Sequence, residues 1–291
     1  MRKVLITGVN GLIGSAIAEM LLSKNEVIGT SIEKDNQTGL DFQYIQSDIT
    51  DNRTLQNLPK PIDIIVHCAA VLTNDNFSNA LINANCIGVQ NIASYAINSK
   101  CKQLIYASGL PVIGRPTIIP ITEEHPIKPL TVYLITKYFG EIVLQRLIGE
   151  DHVTILRITS PLGRKTAPNK IVPVFVKSAI ENIDFNLLGQ GKRIQNYIDV
   201  RDIARAVGCA IERESSGIFN IASEHSYSNK ELAELCINLF NSSSKINYAG
   251  EDKEEDFQWI VSTDKAKREL GFTAKFSIEE TLMDISKNFK K

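Results

Sequence analysis

The feature that most constrains this chain is a glycine turn set between a short apolar run and an amphipathic one. Residues 3–7 read KVLIT, a β-branched strand pattern. Thr7-Gly8-Val9-Asn10-Gly11-Leu12-Ile13-Gly14 follows directly and opens a helical pattern over about residues 12–24. Glycines at 8, 11 and 14 allow a tight turn and a close backbone approach to a bound group. A helix that starts there presents free N–H groups and the positive end of its dipole, so the group it suits is an anion, a pyrophosphate above all. A glycine-rich turn with no ligand is the plainer alternative. The string alone is a weak signal, and its setting between strand and helix gives it meaning.

The same alternation continues through the first half. EVIGTS (26–31), DIIVH (63–67), QLIYAS (103–108) and VTILRI (153–158) read as strands, with crossover helices expected over 78–98 and 131–148. Strands alternating with helices predict an α/β fold, a Rossmann-type doubly wound parallel sheet. Past residue 160 the pattern loosens into the loop SPLGRKTAPNK, a helix near 171–181, an extended stretch RIQNYIDV (193–200), and helices near 202–212 and 228–241. This predicts a first domain over 1–160, its sheet completed by segments around 193–222. Residues 161–291 then form mainly a smaller lobe. EDKEED (251–256) reads as a solvated surface loop.

Composition excludes several roles. Lys and Arg number 32 against 33 Asp and Glu, a net charge of −1, so no basic field draws the chain to nucleic acid. Five cysteines, Cys68, Cys86, Cys101, Cys209 and Cys236, show no CxxC spacing, which argues against a disulfide framework or a zinc site and for reduced thiols in a cytoplasmic protein. The four histidines show no metal-ligand spacing, and no metal is expected. The N-terminal apolar run is broken by Gly8, Asn10, Gly11 and Gly14, and no apolar run approaches the roughly 20 residues a bilayer needs, so neither export nor a membrane partner is expected.

TGxxGxxG after the first strand resembles the extended short-chain dehydrogenase/reductase family, also called the NAD-dependent epimerase/dehydratase family. Further motifs carry the likeness along the chain. Ser47-Asp48-Ile49 is similar to the family segment whose Asp contacts adenine, and His67-Cys68-Ala69-Ala70 to the strand-4 motif lining the cofactor. Asn85 to Asn91 is similar to its NxxGTxN helix, and Tyr197 to Asp202, Phe219-Asn220-Ile221 and KRELGF (267–272) match landmarks of its substrate lobe. The resemblance implies cofactor contacts from Gly8, Asn10, Gly11, Leu12, Ile13, Gly14, Asp48, Ile49, Cys68, Ala69, Ala70 and Asn85, and a homodimer formed through the helices around Gly88 and Tyr133. The cofactor is read as NAD, with NADP as the alternative. Family members that select NAD carry an acid at the end of the second strand; Ser31 falls there, and Glu33 could take its place. Ser31 with Lys34 could instead accept a 2′-phosphate.

Of eight tyrosines, only Tyr133 has a Lys four residues on, Lys137, and that separation puts both on one helix face. An ammonium beside a phenol favours the phenolate, so Tyr133 could shuttle a proton. In the resemblance Tyr133 and Lys137 are the catalytic pair, and both also contact the cofactor. The family's third member, a Ser or Thr five residues before the Gly of its SSxxxYG segment, counts back from Gly114 to Gly109. Ser108 is adjacent, so either its hydroxyl orients the substrate or that hydroxyl is missing. Gly109-Leu110-Pro111 also lacks the Asp-Glu pair of the family's 4,6-dehydratases, which argues against dehydration.

The family's diphosphate-binding Arg aligns with Gln195. Arg193, two residues earlier on an extended stretch, points to the same side about 7 Å away and could serve instead, or could simply be solvated. Asp202 reads as the N-cap of the next helix. The function expected is an NAD(P)-dependent epimerase of a nucleotide sugar acting through a transient ketone. An NAD(P)H-dependent reductase of a keto sugar nucleotide or small carbonyl compound is one alternative, and a non-catalytic dinucleotide-sensing protein another.

Overall fold

The computed structural model describes residues 1–289. In chain order the elements are β1 (Lys3–Thr7), α1 (Leu12–Leu21), β2 (Glu26–Ser31), β3 (Gln43–Gln46), α2 (Asn52–Leu55), β4 (Ile64–His67), α3 (Asn79–Ile82), α4 (Gly88–Asn98), β5 (Gln103–Gly109), α5 (Val132–Ile148), β6 (Val153–Ile158) and β7 (Ser160–Leu162). They continue with α6 (Ile171–Glu181), β8 (Phe185–Leu188), β9 (Ile194–Asp199), α7 (Val200–Glu212), β10 (Gly217–Ile221), β11 (Ser226–Ser228), α8 (Asn229–Leu239), β12 (Ile246–Ala249) and α9 (Ile278–Ser286). The main sheet is parallel with order β10-β6-β5-β4-β1-β2-β3. The chain fills one side through β2 and β3, then crosses to β4 on the other, so the order reverses between β1 and β4. Ligands of doubly wound sheets lie at the carboxyl ends of the strands at such a switch point.

Alternation along each central strand explains why these residues form a three-layer structure. Val4 and Ile6 of β1, Ile105 of β5, and Leu156 and Ile158 of β6 join the core under α1 and α7. Leu5, Leu104, Tyr106, Val153 and Ile155 join the core on the opposite face with α4 and part of α5. Strands buried on both faces read as continuous apolar runs, as KVLIT and VTILRI do. α1 packs on α7 at close range, where a side chain on Gly208 would run into Met20.

The second half builds two small sheets, β11-β9-β7 and β12-β8. β10 returns to the edge of the main sheet beside β6, whereas β9 pairs with β7 and β11. Phe175, Phe185, Tyr197, Leu232 and Leu282 form a separate core there with α6, α8 and α9.

Two expectations are corrected. Of the segments around 193–222 expected to complete the main sheet, only β10 joins it, because β9 pairs with β7 and β11. Asp202 does not cap a helix: α7 starts at Val200, and Asp199 caps it by accepting from Arg201 N at 2.8 Å. Strand β9 runs directly into the helix, so the cap falls to the last residue of the strand, three residues before Asp202. Asp202 is fully buried in the first turn, accepts from the backbone N–H of Lys275 and Phe276, and pairs with Arg205 at 2.6 Å. It fastens α7 to the segment that enters α9.

Candidate active site

The glycine turn lies at the carboxyl end of β1, and its glycines are demanded by sterics. Gly8 has φ +66°, and a Cβ there would stand 2.7 Å from Ala69 Cα and N; one on Gly14 would strike the Gly8 carbonyl oxygen. Gly11 N donates to that carbonyl at 3.0 Å. Gly11 is also the N-cap of α1, and among the described residues no side chain caps this helix and no acid stands in its first turn. Its N-terminal N–H groups and dipole therefore remain available to an anion. A dinucleotide pyrophosphate fits this cradle.

Around the turn the other expected contacts divide into two sorts. Asn10 is used up by the protein: its amide donates to Glu33 Oε2 at 3.2 Å and Asp35 O at 3.1 Å and accepts from Gln37 N at 2.9 Å, clamping the loop after β2 to the turn. Asn85 likewise brackets Val71, accepting from its N–H at 2.8 Å and donating to its carbonyl at 2.9 Å, and donates to Thr136 Oγ1 at 3.0 Å. Ser31 and Glu33 stay half-exposed at the end of β2. A hydrogen bond from Ser31, with a further one from Asn10, holds the Glu33 carboxyl below its usual range. A fixed negative charge there suits a ribose diol and opposes a 2′-phosphate. Asp48 accepts from Thr50 N and Oγ1, both at 2.8 Å, and Ile49 packs beneath Gly88. Ala69 N bonds Thr7 Oγ1 at 3.3 Å, which ties the Cys68-Ala69-Ala70 segment to the end of β1.

α5 carries Tyr133 and Lys137. Thr131 caps it through Leu134 N at 3.2 Å, so Tyr133 falls in the first turn and Lys137 one turn on. Lys137 is 3% exposed, and its Nζ stands 4.2 Å over the ring of Tyr106. Burial pushes Lys137 down to about 8, against the pull of Cys68 and Glu141. Burial also raises Tyr133, so the protein alone does not supply the phenolate. Below, His67 bonds Thr7 Oγ1 at 2.6 Å and stacks on Tyr106, and burial together with the Lys137 charge drives it down to about 3. Burial pushes the Cys68 thiol up to about 12, against the Lys137 charge.

Ser108 is 4% exposed, and its hydroxyl donates to Glu141 Oε1 at 2.5 Å. Glu141 is clamped in turn by Arg157, with Nη2 to Oε2 at 2.8 Å, both side chains almost fully buried. Gly109 leaves open space, since a Cβ there would meet only Pro111 Cδ at 3.6 Å. The buried Glu141–Arg157 pair escaped the sequence reading, although Tyr133, Lys137 and Glu141 at four-residue steps mark one stripe of α5.

A cavity of about 750 Å³ runs from Leu12 at the start of α1, past Pro111 and Leu134, to β9 and the chain's single Trp, Trp259. Arg193 and Gln195 both line it, and with its amide oxygen toward the guanidinium Gln195 accepts from Arg193 Nε and Nη2 at 2.8 and 3.0 Å. The 251–256 run is not simply solvated. Glu254 pairs with Arg193 at 2.5 Å, Glu255 accepts from Gln190 N at 2.5 Å, and Asp256 pairs with Arg115. Phe257 and Trp259 follow on, alongside β9 through Ile194. No local pattern marked this wall, because its contacts join residues far apart in the chain, 65 positions for Gln190–Glu255 and 141 for Arg115–Asp256.

The chain is similar to known proteins along most of its length. The chain is 25% identical over 295 residues to a putative UDP-glucose 4-epimerase of Methanocaldococcus jannaschii, covering 95% of each. It is 30% identical over 267 residues to a UDP-N-acetyl-alpha-D-glucosaminuronate decarboxylase of Bacillus cytotoxicus, covering 84% of this chain and 82% of the relative. Its fold matches a UDP-glucose-4-epimerase from Stenotrophomonas maltophila, solved with NAD and formylated UDP-arabinopyranose, with a TM-score of 0.88, 21% identity, and 99% and 97% of the two chains covered. The sequence model of the NAD dependent epimerase/dehydratase family matches residues 4–222, from β1 to just past β10, and the chain belongs to that family.

Proposed function

We propose that this chain is an NAD-dependent epimerase of a nucleotide sugar that acts through a transient keto sugar. One observation carries the reading: a single cavity runs from Leu12, where the glycine turn enters α1, past Leu134, the residue after Tyr133 on α5, to Arg193 and Gln195 on β9. A nucleotide sugar laid along it would have its diphosphate near Arg193 and its sugar beside Tyr133. The names of the relatives and of the matched structure support the same substrate class.

The cofactor would be held by the glycine turn, with Glu33 accepting from the ribose and Lys137 and Tyr133 beside the nicotinamide end. Bound NAD supplies a hydride acceptor and donor and, when oxidised, a positive charge. Tyr133 takes the proton of a sugar hydroxyl as its carbon is oxidised and gives one back as the ketone is reduced from the other face. Burial opposes the Tyr133 phenolate, and Lys137, one turn on along α5 and charged below about pH 8, is assigned in this proposal, with the oxidised nicotinamide, to favour it. Ser108 serves as an anchor for Glu141 and holds β5 to α5, leaving the space at Gly109 to the substrate. Residues 1–160 with β10 form the dinucleotide-binding unit, and most of 161–291 forms the substrate lobe.

Pairing of two copies through α4 and α5 is part of the proposal: Ile97, Ile135 and Ile142 are exposed on these packed helices. The five free thiols and near-zero net charge suit the cytoplasm, and among the described residues no helix is long and apolar enough to cross a membrane. The test is incubation with catalytic NAD⁺ and UDP-, dTDP-, GDP- or CDP-sugars. Interconversion of two epimers without net NADH formation is expected, and stoichiometric cofactor turnover with any of them overturns the epimerase reading.

A further inference from the structure

The charges that line the substrate cavity are unequal. Among its described lining residues stand three cations, Lys165, Lys170 and Arg193, and one carboxylate, Glu254. That carboxylate sits on Arg193, the least exposed of the three cations, with Oε2 2.5 Å from Nη2. Gln195 holds the same guanidinium from another side through Nε and Nη2. A cavity otherwise suited to an anion thus carries its own anion on its best-oriented donor.

The surroundings of Glu254 make that contact exchangeable. Its neighbours are fixed independently of it: Glu255 bonds Gln190 N, Asp256 pairs with Arg115, Phe257 O accepts from Ile194 N at 3.1 Å, and Trp259 N donates to Ile194 O at 3.2 Å. Releasing Arg193 therefore needs only rotation of the Glu254 side chain while the 254–259 strap stays in place. Both partners are partly exposed, at 31% and 41%, and a pair so placed is held weakly against water. A diphosphate brings more negative charge than a carboxylate and forms charge-assisted bonds to the fork that Gln195 keeps oriented.

We propose that Glu254 is an affinity-determining residue that occupies Arg193 in place of the substrate's diphosphate and is displaced by it when the nucleotide sugar binds. This rests on the nucleotide-sugar reading above. The exchange sets the pocket against neutral or weakly charged ligands, which cannot replace the carboxylate. It also weakens every productive complex by the strength of the displaced pair.

The experiment is calorimetric titration of UDP, dTDP, GDP and CDP into the full chain with NAD⁺ saturating, so that the dinucleotide crevice is filled. Wild type, Glu254→Gln, Arg193→Gln and the double variant are compared. For the diphosphate that binds, Glu254→Gln is expected to bind about five- to tenfold more tightly. Arg193→Gln is expected to bind at least tenfold more weakly, and the double variant no more tightly than Arg193→Gln alone. Equal affinity of wild type and Glu254→Gln overturns the proposal while leaving the nucleotide-sugar reading intact. An equal gain in the Arg193→Gln background also overturns it, because Glu254 would then act as a diffuse charge. Failure of all four diphosphates to bind any variant removes the nucleotide-sugar reading and this inference with it.

Discussion

The dinucleotide cradle and the β9 wall border one cavity but are made in different ways. The cradle is local: eight consecutive residues, from Thr7 at the end of β1 to Gly14 in the first turn of α1, set its shape, because a Cβ on Gly8 or Gly14 would collide with backbone. The wall is assembled from β9 and the 254–259 strap, joined by one backbone bridge at Ile194 and by side-chain pairs such as Arg193–Glu254. Backbone sterics leave one solution, whereas exposed side-chain pairs leave several close in energy. The cradle is thus expected to tolerate little change and the wall much.

The largest effect is expected at Tyr133, next to Leu134 on the part of α5 that borders the cavity. Tyr133→Phe should lower kcat by about 10²- to 10⁴-fold, the usual worth of a positioned acid–base group, while the rise in melting temperature on adding NAD⁺ persists. Loss of that rise as well would mean that the hydroxyl holds the cofactor more than it moves a proton. Next is the cradle itself. Gly14→Ala pushes a methyl into the Gly8 carbonyl and should abolish the NAD⁺-dependent stabilisation, about 2.7 kcal/mol at 100 times Kd, whereas Trp259→Ala should leave it intact. If both variants lose it equally, the division into a rigid cradle and a tolerant wall is wrong.

That division also explains what was legible in the sequence. β1, β2, β6 and α6 fall where the apolar periodicity places them, and the turn follows from glycine spacing set between a strand pattern and a helix pattern. β3, β7, β8, β11 and β12 are three or four residues each, too short for a period-2 pattern to stand out, and exist through their partners. Tyr133 and Lys137 were legible because one helix carries both. Ser108 was ambiguous because spacing cannot say which way a hydroxyl turns, and the Glu141 that receives it belongs to another element. EDKEED reads as solvent-facing by composition; only the fold brings Arg193 to Glu254 and Arg115 to Asp256.

The floor of the cradle gives a pH test. His67 is fully buried and depressed from 6.5 to about 3, so the unfolded chain takes up its proton first as pH falls. Its contribution to stability is intact above 6.5 and lost progressively down to about 3. At pH 5 that loss is about 2 kcal/mol, from one and a half pKa units. Denaturant midpoints at pH 7.5 and 5 should differ less in His67→Gln than in wild type by this amount. An equal acid sensitivity would assign the loss to carboxylates elsewhere.

The smallest effects are expected where β5 ends, at two neighbouring residues of opposite character. Ser108 spends its hydroxyl on the buried Glu141, so Ser108→Ala should cost about 1 kcal/mol of stability for the lost hydrogen bond and lower kcat less than tenfold. Gly109 has ordinary strand dihedrals, φ −117° and ψ 133°, and open space at its Cβ, so Gly109→Ser should change stability by no more than about 0.5 kcal/mol. If a hydroxyl at 109 reaches the substrate oxygen, kcat should rise several-fold. A hundredfold fall in kcat for Ser108→Ala at unchanged stability would mean that Ser108 leaves Glu141 for the substrate during turnover. The anchor would then be a moving part, and this end of β5 would belong with the adaptable wall rather than the fixed cradle.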